Sequence, residues 1–183
     1  MRQTGCDSAA APRYAAPMTI ADEPILVLTT GGTIDKLYFD ALSEYRIGET
    51  VLPRLFALAR VTHPFEIAEL LRKDSLDLTD ADRALIAARV AQAPQRRIVI
   101  THGTDTMTQT ARALAGIEGR TIVLVGALAP ARFAESDASF NLGMAFATAQ
   151  VAPPGVYITM NGTVFRADQV EKDRALGAFV RRD

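Results

Sequence analysis

From Ile25 onward, short apolar runs alternate with longer stretches of helical period. The runs at 25–29, 97–101, 121–126 and 155–160 are nearly continuous in Ile, Val and Leu, which predicts strands buried on both faces. Residues 65–70, Phe65-Glu66-Ile67-Ala68-Glu69-Leu70, alternate instead and predict a half-buried strand. Between the strands, residues 49–60 place Val51, Leu52, Leu55, Phe56 and Leu58 on one broad apolar face. Residues 79–92 open on the cap pattern Thr79-Asp80-Ala81-Asp82 and repeat Leu85, Ile86 and Val90. Two further helices are predicted at 106–115 and 137–150, the second carrying Phe140, Leu142, Met144 and Phe146. This alternation predicts an α/β fold: a parallel sheet sandwiched between helices in a Rossmann- or flavodoxin-like three-layer arrangement. Residues 1–22, rich in Ala and Pro and without either period, predict a disordered tail, which leaves 23–183 as a single domain. Met18 stands just before the first strand and offers an alternative start.

Composition changes this picture little. The chain has 183 residues, 49% of them apolar, and a formal charge of −1, the profile of one globular domain with no bias toward nucleic acid or an anionic membrane. No apolar stretch approaches the roughly 18 residues needed to span a bilayer and no basic leader precedes an apolar core, so a cytoplasmic protein is expected. Cys6 is the only cysteine, which excludes an intrachain disulfide and a thiolate cluster, and His63 and His102 are too few for a typical zinc site. No metal or organic cofactor is expected.

The chemistry collects at the strand exits, where ligands bind in open parallel sheets. The first strand leaves through Thr29-Thr30-Gly31-Gly32-Thr33, the third through Thr101-His102-Gly103-Thr104-Asp105-Thr106, and the fourth through Gly126-Ala127. The two glycine-threonine turns are therefore expected to face each other across one cleft. Neither fits a dinucleotide fingerprint or a phosphate loop, and no Gly-x-Ser-x-Gly elbow is present. What remains is hydroxyl chemistry on threonine, which requires a nearby base and donors for an oxyanion. Residues 35–48 read as a long loop with Tyr38, Phe39 and Tyr45, suited to folding over a ligand.

Together, "TTGGTIDK" (29–36) and "VITHGTDTMTQTA" (99–111), followed by "VGALAPARFAESDASFNLGMAFATAQ" and "VYITMNGTVFRADQVEKDRALGAF", resemble the amino-terminal catalytic domain of the bacterial L-asparaginase family. The resemblance runs from Ile25 to Phe179. It implies an amidohydrolase that converts L-asparagine to L-aspartate and ammonia through a threonine nucleophile and an acyl-enzyme, with L-glutamine as the alternative amide. Residue by residue, it implies Thr33 as nucleophile with Tyr45 as its hydroxyl partner, and Thr104, Asp105 and Lys172 as a second catalytic group. Gly32, Ser75, Thr104 and Asp105 are the implied substrate contacts.

Family members of the two-domain kind borrow an acidic residue from a neighbouring subunit. This chain, which ends at Asp183, shows no counterpart, so a short single-domain homo-oligomer is expected, with Glu135 and Asp137 as candidate acidic groups. Each assignment has a plainer alternative. Thr33 could simply close a turn, Asp105 could cap the following helix, Lys172 in "VEKDR" could sit on a solvated helical face, and His102 reads as a turn-stabilising side chain. The competing function is a non-catalytic amino-acid-binding or regulatory domain.

Overall fold

In a computed structural model of the chain, residues 23–39 and 44–182 are described. The tail expected at 1–22 lies outside them. The central sheet contains β1 (Ile25–Gly31), β4 (Phe65–Lys73), β5 (Arg97–Thr101), β6 (Thr121–Val125), β7 (Gly155–Met160) and β8 (Thr163–Arg166). Between them come β2 (Lys36–Phe39), β3 (Glu44–Ile47), α1 (Leu52–Leu58), α2 (Asp80–Gln92), α3 (Met107–Ala113) and α4 (Ala138–Val151), and after them β9 (Val170–Asp173) and β10 (Ala178–Arg181).

The six strands lie in the order β4-β1-β5-β6-β7-β8. The first five are parallel and β8 returns antiparallel to β7. Counted in chain order, the parallel strands run 2-1-3-4-5, the flavodoxin-like order, and the direction of winding reverses between β1 and β5. The two glycine-threonine segments leave the sheet from these two strands.

The near-continuous apolar strands follow from coverage on both faces. Leu26, Leu28, Ile98, Ile100, Ile122, Leu124 and Ile158 pack against Ile86 and Val90 of α2 and Met107 and Ala111 of α3. Their alternate neighbours Ile25, Val27, Val99, Val123 and Tyr157 pack against Leu52 and Phe56 of α1 and Leu142 and Phe146 of α4. Each such fully buried Leu or Ile contributes about 2 kcal/mol by transfer from water. The strand predicted at 65–70 is an edge strand, which explains its mixed pattern, with Glu66 and Glu69 exposed. The cap pattern before α2 forms as a full capping box: the Thr79 hydroxyl accepts from Asp82 N, and the Asp82 carboxylate accepts from Thr79 N. Lys73 also donates to both Asp82 oxygens and holds that carboxyl down at about 2.

Three departures from the sequence reading matter for the site. The segment read as a loop at 35–48 is a hairpin, with Tyr38 opposite Tyr45 in the β2–β3 pairing, and residues 40–43 lie outside the described set. Beyond β7, the chain turns at Asn161-Gly162, with φ of 53° and 73°, the left-handed pair that a two-residue hairpin of right-handed twist requires. Finally, β9 and β10 form a separate antiparallel ribbon, so Lys172 stands on a strand and not on a helical face.

Candidate active site

Gly31 and Gly32 have φ of 96° and 90°, a region closed to most side chains. A Cβ on Gly31 would stand 2.5 Å from the Lys73 carbonyl oxygen, and one on Gly32 would overlap the backbone nitrogen of Gly103. The glycines thus let the exit of β1 press against the exits of β4 and β5. The Thr30 hydroxyl stitches the same junction by donating to the Thr101 carbonyl at 2.8 Å. Thr33 follows at the start of a 3-10 turn, Thr33–Asp35, half-buried, and its hydroxyl makes no hydrogen bond to any described residue.

Across the junction, Lys172 donates to the Thr104 hydroxyl oxygen at 2.7 Å and to Asp105 Oδ1 at 2.7 Å. Thr104 is buried, and the ion pair is only partly open to water. A buried hydroxyl accepting from an ammonium keeps its own proton free to donate. Asp105 does not cap α3: the N-cap is Thr106, without a side-chain cap bond, and the carboxylate is spent on Lys172. Strand parity delivers the lysine. Val170 and Lys172 are two residues apart on one face of β9, Val170 entering the core while Lys172 meets the Thr104 turn. The ribbon is pinned by the Asn161 side-chain oxygen, which accepts from Phe179 N at 2.9 Å. Asn161 was not singled out from sequence, although the Asn-Gly dipeptide is a strong hairpin signal.

Ser75 begins a 3-10 turn after β4, with the Asp74 side chain accepting from Leu76 N. Its hydroxyl is buried, has no hydrogen-bond partner among the described residues, and lies where a Cβ on Gly103 would come within 2.6 Å. The Thr106 hydroxyl fixes the same turn by donating to the Ser75 carbonyl at 2.7 Å. An unpaired buried hydroxyl costs about 1–3 kcal/mol unless a partner arrives, which suits a ligand contact. Leu76, 66% exposed, offers no polar group beside it. The structure therefore gathers Gly32, Thr33, Ser75, Thr104, Asp105 and Lys172 around one junction. Tyr45, on β3, is 52% exposed, edge-on to Tyr38 at 5.5 Å and tilted against Phe133 at 6.2 Å, and makes no hydrogen bond to Thr33 or Thr104.

His102 is the turn-stabilising side chain expected of it. Its Nδ1 lies 2.7 Å from the Gly103 carbonyl, which can only accept, so Nδ1 carries the proton and Nε2 accepts from the Thr110 hydroxyl at 2.8 Å. Burial, opposed by the Gly103 bond, pushes its pKa from 6.5 down to about 4. Between those values the unfolded chain binds a proton that the folded chain refuses, so stability falls as pH drops from 6.5 toward 4. The loss amounts to about 3 kcal/mol over that window. Denaturant titrations at pH 7 and pH 4.5 should show this, and His102→Gln should flatten the slope; an unchanged slope in that variant would assign the acid sensitivity elsewhere. His63 accepts a plainer role, with Nε2 3.3 Å from the Glu23 carbonyl.

Of the two acidic candidates near α4, Asp137 is engaged within its own chain. Its carboxylate accepts from Leu128 N, Ala129 N and the Asn141 amide. Glu135 remains exposed. Among the described residues, no group of three or more His, Cys, Asp or Glu side chains could hold a metal ion, and no helix is long and apolar enough to cross a membrane.

The sheet is doubly wound, and its winding reverses between two abutting threonine-glycine exits, one of which receives a lysine, at the position where sheets of this kind bind ligands. The chain belongs to the asparaginase family: the model of the amino-terminal asparaginase domain matches residues 24–179. It is 38% identical over 157 residues to one of the subunits of the glutamyl-tRNA(Gln) amidotransferase of Pyrobaculum aerophilum, covering 78% of this chain and 36% of that protein. The solved thermostable L-asparaginase of Thermococcus kodakarensis superposes with a TM-score of 0.75 at 30% identity, covering 86% of this chain and 51% of its own. The solved probable cytoplasmic L-asparaginase of Campylobacter jejuni gives 0.76 at 27% identity, with coverages of 88% and 54%. The chain thus spans about half the length, or less, of these relatives.

Proposed function

We propose that the chain is an amidohydrolase domain that converts L-asparagine to L-aspartate and ammonia, with Thr33 as nucleophile. The observation that carries this reading is the Lys172 ammonium, 2.7 Å from both the Thr104 hydroxyl and the Asp105 carboxylate, on the turn that Gly32 abuts. In the first half-reaction, the Thr33 oxygen bonds to the side-chain amide carbon, the C–N bond breaks, and the hydroxyl proton leaves with the nitrogen as ammonia. Water then hydrolyses the ester, releasing aspartate and restoring the Thr33 hydroxyl. Lys172 tunes the Thr104 hydroxyl electrostatically, and Asp105 has an oxygen to offer the substrate ammonium. Ser75 receives the substrate carboxylate with its unpaired hydroxyl, Gly32 lines the floor, and Tyr45 completes the site once the hairpin is over the ligand.

A second amide is favoured by one observation, the 30% identity over 162 residues to the glutaminase-asparaginase of Pseudomonas aeruginosa. On that reading the same site liberates ammonia from glutamine. We further propose a cytoplasmic homo-oligomer, in which a second copy covers the strand exits and keeps water from the partly exposed Lys172–Asp105 pair. One experiment tests these points: ammonia release by the purified protein from L-asparagine and from L-glutamine, across protein concentrations that span dissociation. Asparagine turnover that falls per chain on dilution is expected. Turnover of glutamine alone favours the second reading. Binding of either amino acid without release leaves the non-catalytic binding domain.

A further inference from the structure

Asp35 is a buried carboxylate two residues beyond Thr33 that the reaction does not use. It is 2% exposed, in company with Ile34, Val51 and Leu52. Burial pushes its carboxyl up from the usual range, against the pull of the Val51 N–H, the Thr50 hydroxyl and Arg132, while Glu69 adds to the rise. A leucine of similar volume would avoid that desolvation, so the position has a hydrogen-bonding duty.

Its bonds define that duty. Asp35 Oδ1 accepts from Val51 N at 2.9 Å, at the start of α1. The Asp35 carbonyl accepts from Gly48 N at 2.9 Å, and Asp35 N donates to the Gly32 carbonyl at 3.1 Å. One residue thereby ties together the Thr33 turn, the returning end of β3 and the entry to α1. β2 leaves from this knot, and the chain after β3 comes back to it. Other attachments of the hairpin include the pairing of Lys36 with Asp74 at 2.7 Å, the Arg132 bond to the Glu49 carbonyl at 3.4 Å, and the Tyr45 ring against Phe133. Such partly exposed contacts are individually weak and exchange readily with water. Of the bonds at Asp35, the backbone pair with Gly32 and Gly48 is open to any residue, and the buried side-chain bond that fixes Val51 N, three residues beyond Gly48, is what the aspartate itself adds.

We propose that Asp35 is a positioning residue that anchors the base of the β2–β3 hairpin to the Thr33 turn and so determines where Tyr45 is presented to the site. The functional half of this statement rests on the reading of Thr33 and Tyr45 given above. The structural half does not. Without the anchor the hairpin occupies its native placement a smaller fraction of the time, and a ligand that needs this placement binds more weakly in proportion. Saturating substrate recovers the placement, so KM rises while kcat holds.

The test uses Asp35→Ala, which removes the acceptor, and Asp35→Asn, which keeps its size and an acceptor oxygen. Amide hydrogen exchange on the ligand-free protein should speed up by about 10-fold at 36–39 and 44–47 in Asp35→Ala, as expected for loss of one buried hydrogen bond. Exchange in β5 and β6 should not change, and Asp35→Asn should return the hairpin close to the parent rate. In ammonia-release assays, Asp35→Ala should raise KM about 10-fold with kcat within about 2-fold, and Asp35→Asn should restore KM. Hairpin exchange at the parent rate in Asp35→Ala overturns the anchor. Faster exchange throughout β5 and β6 as well, or a fall confined to kcat, assigns Asp35 to general stability and overturns the proposal. If the parent protein hydrolyses no amide, the reading of the site fails, while the exchange comparison still decides the anchor.

Discussion

Replacing Thr33 by alanine should cut ammonia release by about 1,000-fold or more and leave the folded structure in place. The size of the effect follows from the proposed chemistry, in which the missing oxygen is the atom that bonds to the amide carbon. The intact fold follows from local structure. The 3-10 turn at Thr33–Asp35 is held by backbone, with Asp35 N donating to the Gly32 carbonyl, and the Thr33 hydroxyl makes no hydrogen bond among the described residues. Alanine adopts the same backbone. The melting temperature should therefore shift by no more than a few degrees, equivalent to less than about 1 kcal/mol. Thr33→Ser keeps a hydroxyl and should retain measurable turnover, reduced because the lost methyl frees the χ1 rotation that β-branching restricts. Undiminished hydrolysis by Thr33→Ala would transfer the nucleophile's role to another residue, with Thr104 next in line.

Much of this arrangement can be read from the residues alone, and the limits of that reading have physical causes. β1, β5, β6 and β7 are legible because both faces of each are covered, so the burial signal is continuous along Ile25–Leu28, Ile98–Ile100, Ile122–Val125 and Tyr157–Met160. α2 is legible from Thr79 and Asp82, whose capping box is a local interaction. The glycine-threonine exits are legible as turns, and the doubly wound sheet puts them together. The β2–β3 hairpin is not legible, because Tyr38 and Tyr45 are half exposed and pair with each other instead of alternating toward a core. β9 is harder still. "VEKD" has the composition of a solvated surface, and what makes Lys172 a strand residue is an acceptor pair 67 and 68 positions away. No periodicity within a short window carries that information; only the family resemblance pointed to it. Asp35 escaped notice because its partners, Gly48 and Val51, are reached through backbone N–H groups that every sequence possesses.

That remote lysine supplies the second large effect. Lys172→Met keeps the length and apolar stem of the side chain and removes the ammonium, leaving the Thr104 hydroxyl without its donor and the Asp105 carboxylate without its counter-charge. Both bonds are 2.7 Å and the lysine side chain is only 17% exposed, so water replaces the lost charge poorly. The Thr104 hydroxyl then faces an uncompensated carboxylate and is far less able to yield or relay a proton. A fall in kcat of about 100- to 10,000-fold is expected, the range associated with loss of a positioned acid-base group. KM should change less, because the substrate ammonium still finds Asp105, now without a competitor. This contrasts with Asp35→Ala, where KM carries the effect. Lys172→Arg restores the charge but brings a planar fork in place of a compact ammonium, and should recover only part of the rate. Because β9 is also held by Val170 in the core and by Asn161 through Phe179, Lys172→Met should remain folded, which circular dichroism and thermal unfolding can verify before kinetics are compared. If kcat for Lys172→Met stays within about 3-fold of the parent value, the Lys172, Thr104 and Asp105 group is a structural clasp on the β9–β10 ribbon, and the proton chemistry must be sought at Tyr45.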